Sequence, residues 1–225
     1  MARKKGKEGG KRKRSQQRAQ YDELDKYPVI PPHAFARIVR DKQTLNILYQ
    51  IIEPPLTKKE QEQREEIMDI FIRSLTANIE EIDADPDAYL RTALDKVIKS
   101  YGMKINKKSK SKMFYYLRRD LIGYGKMDML MHDINVEDIS LDGTNVPIFA
   151  YHRKFESIET TCVWETDQEL ESYVIKLAQR CGKHISVAEP LLDATLMDGS
   201  RIVMKLGREI STRGSAFCIR RFKDD

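Results

Sequence analysis

The sequence has no long apolar run, few cysteines and no zinc-ligand pattern. No stretch of about 18 consecutive apolar residues occurs in its 225 residues, which predicts that no helix spans a membrane. The basic amino terminus leads into no apolar segment, so it does not have the form of a secretory signal. Three widely spaced cysteines without a CxxC pair indicate reduced thiols in a cytoplasmic protein, and the four histidines lack ligand spacing with them.

Complete catalytic motifs are missing as well. A phosphate loop of the form GxxxxGK[ST] is absent, because Gly125-Lys126 is followed by Met127 and has no upstream glycine at the required spacing. The chain also lacks GxGxxG, HExxH and GxSxG. Its own residues therefore provide no complete site for covalent or hydrolytic chemistry.

The basic charge is concentrated at the amino terminus. The net charge is +5, yet residues 1–18 hold nine lysines and arginines against one glutamate, and the remainder holds 31 basic and 34 acidic residues. This distribution argues against a basic nucleic-acid-binding globule. We interpret residues 1–26 as a disordered basic arm. Charge alone would let the arm bind an anionic partner such as lipid, RNA or an acidic protein, and a solubility or targeting role is equally open.

The first half of the chain predicts a small helical subdomain with a β-hairpin, residues 27–123. Thr57 and Glu60 have the spacing of a capping box, and Asp85-Pro86 combines a cap with a first-turn proline. The aromatic residues 114–116 are interpreted as packing rather than a binding face. The predicted elements are a hairpin of Phe35–Val39 and Leu45–Ile52, then helices that begin at Thr57, at Asp85 and near Ser109.

From residue 124 the pattern changes to a mixed sheet flanked by helices, residues 124–222. A second capping box, Thr166 with Glu169, predicts a helix that ends near Arg180. The predicted fold class is therefore α+β, in two layers. The predicted strands are Val136–Leu141, Val146–His152, Phe155–Trp164, Leu191–Leu196 and Arg201–Leu206.

Arginines are concentrated in the last strands. Residues 193–222 alternate apolar and polar positions, and they carry Arg201, Arg208, Arg213, Arg220 and Arg221 on or beside the strands. A guanidinium is a flat fork of donors that matches phosphate or carboxylate oxygens. Two interpretations follow: the sheet presents arginines to a phosphate held by another module, or they are solvated residues of an outer face.

Several segments together resemble one family. These are IEPPLTKKE, LRRDLIGYGKMDMLMHDINVEDISLDG, VPIFAYHRKFESI, AQRCGKHISVAEPLLDATLMDGSR and STRGSAFCIRRF. In this combination the chain, over about residues 27–222, is similar to the amino-terminal half of the archaeal secretion ATPases. That family comprises the motors of type II and type IV secretion, type IV pilus assembly and archaellum assembly.

The resemblance implies a fold, a ligand and partners. It implies a PAS-like amino-terminal domain joined to a RecA-like motor domain in a hexameric ring at the inner face of the membrane, beside a polytopic platform protein. ATP and Mg²⁺ would be bound in the full-length protein, and none by this chain alone. The matching phosphate-contacting positions are Arg201, Arg213 and Arg220, with Arg221 next to Arg220 as a further candidate. Residues 220 and 221 must face opposite ways on a strand, so at most one should reach the nucleotide.

The chain departs from the family because it has no RecA-like domain. Residues 223–225 would begin the linker to the motor domain, so we expect either a fragment of a longer protein or a stand-alone amino-terminal domain. Without a Walker loop, we expect no ATP hydrolysis by this chain alone. Two alternatives remain: a nucleic-acid or anionic-membrane binding module led by the basic arm, and a non-catalytic assembly partner.

Overall fold

The computed structural model describes residues 20–74, 85–209 and 212–222. Within them the chain forms two compact units. The sheet unit comprises residues 20–29, 35–52 and 130–222, and the helical unit comprises residues 30–34 and 53–129. The fold is α+β, which confirms the predicted class.

A mixed sheet of nine strands forms the sheet unit. Its spatial order is β1-β2-β3-β6-β5-β4-β9-β8-β7. The pairs β2–β3, β6–β5, β5–β4, β4–β9, β9–β8 and β8–β7 are antiparallel, whereas β3 and β6 are parallel. The strands are β1 Tyr21–Ile30, β2 Ala34–Asp41, β3 Ile47–Ile52, β4 Val136–Asp142, β5 Pro147–His152, β6 Glu156–Val163, β7 Leu191–Thr195, β8 Arg201–Lys205 and β9 Ala216–Arg220.

The predicted hairpin exists as β2 and β3, and it belongs to the sheet. Strand β3 lies beside β6, with Leu48 opposite Glu159, and the Thr161 hydroxyl accepts a 3.1 Å hydrogen bond from the Ile51 N–H. The predicted subdomain of residues 27–123 had placed this hairpin with the helices. The contacts divide the chain differently because the pairing partner of β3 is far along the sequence.

Strand β1 was not predicted. Residues 21–26 were assigned to the basic arm, and the structure corrects this by placing them in an edge strand. The segment YDELDKYPVI has no fully buried position, so its hydropathy does not indicate a strand. Backbone pairing with β2 and the contacts of Tyr27 hold it instead.

Helix Asp167–Arg180 supplies the apolar face that covers part of the sheet. Its capping box behaves as predicted, since the Glu169 N–H donates to the Thr166 hydroxyl over 3.3 Å. Trp164 is buried, with its ring 4.8 Å from that of Tyr173 and 6.0 Å from that of Phe217. The helix therefore packs through aromatic and aliphatic residues against the strands that carry the arginines.

A buried polar cluster joins side chains of β1, β3 and β5 to Asp133, which precedes β4. The Asp133 carboxylate is 1% exposed and accepts hydrogen bonds from the hydroxyls of Tyr27, at 2.7 Å, and Tyr49, at 2.6 Å. The imidazole Nε2 of His152 lies 2.9 Å from the Tyr27 hydroxyl, and its Nδ1 accepts from the Lys154 N–H at 3.1 Å. Burial and the neighbouring Asp133 raise the pKa of both tyrosines.

Three long helices form the helical unit. They are α1 Lys58–Ser74, α2 Pro86–Ser100 and α3 Lys107–Leu117, and α3 continues into a π-helical turn, Arg118–Ile122. Short helical turns follow at Gly125–Met127 and, as α4, at Asp128–His132; the sheet-unit helix Asp167–Arg180 is α5. The buried core residues of this unit are Ile67, Phe71, Leu90, Leu94, Met113 and Leu117.

The predicted caps of the helical unit are present. The Thr57 N–H donates to the Glu60 carboxylate at 2.8 Å, and the Glu60 N–H donates to the Thr57 hydroxyl at 3.2 Å. The Asp85 carboxylate accepts from the Ala88 N–H at 3.0 Å. Tyr115 and Tyr116 are buried, which confirms that the aromatic stripe serves packing.

Candidate functional site

Two of the predicted arginines lie side by side on the sheet. Arg201 is the first residue of β8 and Arg220 the last of β9, and their Cα atoms are direct register partners. Both side chains are exposed, 74% for Arg201 and 80% for Arg220. We call these two residues the arginine pair.

Strand alternation explains why this pair faces outward. In β8 the residues Ile202 and Met204 are buried under α5, so Arg201 and Val203 point to the opposite face. The predicted turn at Asp198-Gly199 sets the start of the strand, with Gly199 at φ +83° and the Leu196 N–H bonded to the Ser200 carbonyl at 2.8 Å.

Carboxylates flank the arginine pair on both outer strands. The Arg220 Nε donates to the Asp138 Oδ1 at 3.0 Å, and this hydrogen bond raises the pKa of Arg220. An Arg201 guanidinium nitrogen lies 3.6 Å from the Asp193 carboxylate. Across β7, β8, β9 and β4 the charges are therefore negative, positive, positive and negative. Asp138 and Asp193 were not among the predicted site residues, because only the strand register brings them beside the arginines.

Arg213 lies at the other end of the same strands. It precedes β9, whereas Arg220 ends it, and the strand between spans roughly 13 Å at 3.3 Å per residue. Its guanidinium is 3.6 Å from the Asp142 carboxylate, and its carbonyl accepts from the Thr144 N–H at 3.4 Å. The structure thus separates Arg213 from the arginine pair.

Arg221 points away from the arginine pair, as strand alternation requires. Its guanidinium donates to the backbone carbonyl of Val136 at 3.0 Å and also to that of Asp133. Its own N–H donates to the Glu137 carbonyl at 2.9 Å. These contacts fix the beginning of β4, so Arg221 acts in the fold here.

Arg208 connects the β8–β9 loop to helix α5. Its Nε donates to the Asp167 Oδ2 at 2.6 Å, while the Thr144 hydroxyl donates to the Asp167 Oδ1 at 2.7 Å. Both hydrogen bonds lower the pKa of Asp167, with the larger contribution from Arg208. Arg208 therefore holds the loop rather than facing the arginine pair.

Next to the arginine pair the exposed face is less polar. Val203, Cys218 and Ser140 form the adjacent register row across β8, β9 and β4. They line an open depression of about 210 Å³. Within the described residues, no group of three histidine, cysteine or carboxylate side chains is arranged to hold a metal ion.

Sequence comparison finds relatives without an assigned function. The chain is 41% identical over 164 residues to the uncharacterized protein MJ1288 of Methanocaldococcus jannaschii, covering 72% of this chain and 65% of that protein. It is 31% identical over 203 residues to the uncharacterized protein MJ0900 of the same organism, covering 88% and 36%. The chain thus spans less than two thirds of each of these relatives. No family model matches the sequence.

A solved structure with partial similarity is the VirB11 ATPase from the Brucella suis type IV secretion system, determined with sulphate. The match covers 49% of this chain and 32% of that one, with a TM-score of 0.38 and 16% identity. A TM-score this low does not establish a common fold or activity.

In the part of the chain that the structure describes, no helix is long and apolar enough to cross a bilayer.

Proposed function

We propose that this chain is the nucleotide-sensing amino-terminal region of a secretion, type IV pilus or archaellum assembly ATPase. In this proposal Arg201 and Arg220 contact the phosphates of ATP. A RecA-like motor domain binds this ATP together with Mg²⁺. The full assembly would be a hexameric ring beside a membrane platform protein. The proposal rests on the segments that resemble this family and on the geometry of the arginine pair.

The observation that carries the proposal is the direct opposition of Arg201 and Arg220. Like charges on neighbouring strands disfavour the sheet, and each exposed ion pair with Asp193 or Asp138 offsets this by only about 0–1 kcal/mol. A polyphosphate supplies several anionic oxygens at once and suits two adjacent guanidinium forks. Replacing the Asp193 and Asp138 partners of the two arginines by phosphate oxygens therefore costs little free energy.

Arg213 and Arg221 have different places in this proposal. Arg213 would contact a second anionic group, because it lies at the opposite end of β9 from the arginine pair. Arg221 donates to backbone carbonyls, so it would support the site through β4.

A second candidate function is that of a non-catalytic assembly partner. It is favoured by one observation: Arg201, Arg213 and Arg220 each already have a carboxylate neighbour within 3.6 Å. In that case the arginines stabilise the outer face and bind no nucleotide.

The test uses this chain together with the RecA-like motor domain that it would serve, in one polypeptide or as two chains. Arg201→Ala and Arg220→Ala should each lower steady-state ATP hydrolysis, since an arginine that contacts the transferring phosphate contributes about 10³–10⁵ in rate in well-studied cases. Equilibrium binding of a fluorescent ATP analogue should weaken in parallel.

The matched control is Arg153→Ala. Arg153 is also exposed and also pairs with one carboxylate, that of Glu137 at 3.1 Å, but it lies outside the arginine pair. Hydrolysis and binding should remain at the parent level in this variant. Unchanged hydrolysis and affinity in both Arg201→Ala and Arg220→Ala would support the assembly-partner function instead.

A further inference from the structure

A second basic segment lies inside the folded part of the chain. Residues 96–119 contain nine lysines and arginines and no carboxylate. Outside this segment and residues 1–18 the chain has 22 basic and 34 acidic residues. The positive charge is therefore not confined to residues 1–18.

The fold of the helical unit gathers this segment at one corner. Helix α2 ends in a tight turn in which Gly102 has φ +60° and the Met103 N–H donates to the Ile98 carbonyl at 3.0 Å. Helix α3 begins a few residues later, and an ion pair between Lys110 and Asp95 connects its second turn with α2. The end of α2 and the start of α3 are thus neighbours.

Some cations of the segment are bound within the unit. Lys112 lies against Glu60, with both Nζ–Oε distances at 3.0 Å, and Arg119 donates to Glu53 at 2.7 Å. Five others are exposed, and no ion pair involves them within the described residues. We call these five the lysine corner: Lys96, Lys99, Lys104, Lys107 and Lys108.

The lysine corner has an unfavourable arrangement by itself. Lys107 and Lys108 occupy the first turn of α3, where the backbone N–H groups already carry partial positive charge, and that turn has no acidic residue. Neighbouring like charges add to this. An external anion at this corner would relieve both effects, so the charge arrangement is complementary to an anionic surface.

A lone exposed aromatic residue completes the corner. Tyr101 is 60% exposed in the turn between the lysines, whereas Tyr115 and Tyr116 of the same unit are buried. A tyrosine has an apolar ring and a polar hydroxyl, which suits the headgroup level of a bilayer.

We propose that the lysine corner docks on an anionic lipid bilayer surface. Compact ammonium charges on flexible stems suit a diffuse layer of lipid phosphates. Readout of duplex nucleic acid favours bidentate arginine, and single strands favour several aromatic platforms. The corner has five lysines, no arginine and one exposed tyrosine, so its chemistry favours lipid.

The test measures co-sedimentation of the full chain with vesicles of phosphatidylglycerol and phosphatidylcholine. All variants carry glutamine in place of the nine basic residues within positions 1–18, so that the arm cannot mask the corner. The double change Lys107→Gln and Lys108→Gln should weaken binding about 25-fold, since each lysine near an anionic membrane contributes about fivefold. Vesicles of phosphatidylcholine alone should bind weakly.

The chain offers a matched control in α1. Lys58 and Lys59 are likewise exposed, adjacent and in the first turn of a helix of the same unit, but beside Glu60. Their double change to glutamine alters the charge equally and should leave vesicle binding within about twofold. An equal loss in both double variants would overturn the assignment to the lysine corner.

Tyr101 gives an independent readout. Tyr101→Ser should weaken vesicle binding several-fold without changing its salt dependence, whereas Ile72→Ser, at an equally exposed apolar residue of α1, should have no effect. Absence of binding to the anionic vesicles would overturn the proposal. So would a corner variant that loses binding to duplex or single-stranded RNA while vesicle binding stays at the parent level.

Discussion

The hydroxyl of Tyr49 donates a 2.6 Å hydrogen bond to the carboxylate of Asp133, and both residues are buried. Tyr49 belongs to β3 and Asp133 precedes β4, so this contact connects two distant parts of the sheet unit. Tyr27 of β1 donates to the same oxygen. The buried carboxylate therefore depends on its two tyrosine donors.

Tyr49→Phe should destabilise the sheet unit. The change removes a donor to a buried charge, and such hydrogen bonds contribute about 1.5–3 kcal/mol. Chemical denaturation should report a loss of about 2 kcal/mol in the free energy of unfolding. Tyr151→Phe is the control, because Tyr151 is 43% exposed and should lose almost nothing. Equal stability of Tyr49→Phe and the parent would contradict the role of this contact.

His152 should make stability depend on pH. Burial lowers its pKa from the ordinary 6.5, although Asp133 and Asp25 oppose this and Lys154 adds to it. The unfolded chain therefore binds the proton more readily, so stability is full above about pH 6.5 and is lost as pH falls toward the lowered folded pKa.

The measurement compares unfolding free energies of the parent and His152→Gln between neutral and mildly acidic pH. The variant should have a shallower loss on acidification, with part of the slope remaining because burial also lowers the pKa of His33. His184→Gln, at an exposed imidazole, is the control and should match the stability of the parent at neutral pH. An unchanged slope in His152→Gln would refute the assignment.

The ionised Glu60 carboxylate should stabilise the helical unit at neutral pH and in moderately acidic solution. Burial alone would raise its pKa, but hydrogen bonds from the Thr57 N–H, Ser109 and Lys112 outweigh burial and lower the pKa from 4.5 to about 2. This contribution is present above about pH 4.5 and is lost as pH falls toward 2.

Glu60→Gln should lower the free energy of unfolding by about 2 kcal/mol at neutral pH, because hydrogen bonds to a charged group are lost. The difference from the parent should shrink as pH falls below 4.5. Glu62 is exposed on the same helix, so Glu62→Gln is the control and should match the parent at neutral pH. A difference that stays constant down to pH 2 would contradict the pKa assignment.

Gly143 allows a close approach of the β8–β9 loop. A Cβ atom there would lie 2.2 Å from the Arg213 carbonyl oxygen, and its φ of +108° disfavours side chains. Gly143→Ala should therefore cost about 2–3 kcal/mol or more. Gly182→Ala is the control: φ is +64° and no atom lies within 4 Å, so about 1 kcal/mol is expected. Thermal unfolding compares the two, and equal shifts would contradict the steric explanation.

Local signals predicted most of the fold. The capping pairs at Thr57 and Thr166 predicted two helix starts, and Asp198-Gly199 predicted the β7–β8 hairpin. Strand β1 was not predicted, because its mostly polar residues show no alternation of buried and exposed positions. The β3–β6 pairing was not predicted either, because no short sequence motif indicates a contact between two distant segments.

The candidate site was predictable only in part. Alternation in β8 indicated that Arg201 faces away from the core, and the opposite directions of Arg220 and Arg221 followed from the strand period. The opposition of Arg201 to Arg220 depends on the β8–β9 register. A long loop joins these strands, so turn chemistry does not determine that register.

Parallel pairing of β3 with β6 has a consequence for synthesis. The Ile51 N–H bonds the Thr161 hydroxyl, 110 residues later in the chain. A ribosome therefore completes β1, β2 and β3, and then the whole helical unit, before the neighbour of β3 has been made. During that interval the nascent chain carries a strand edge of apolar residues with no partner, and such edges join other chains readily. Translational pauses within residues 53–129 would prolong this state. Binding of a co-translational chaperone should therefore reduce aggregation most while this stretch is being synthesised.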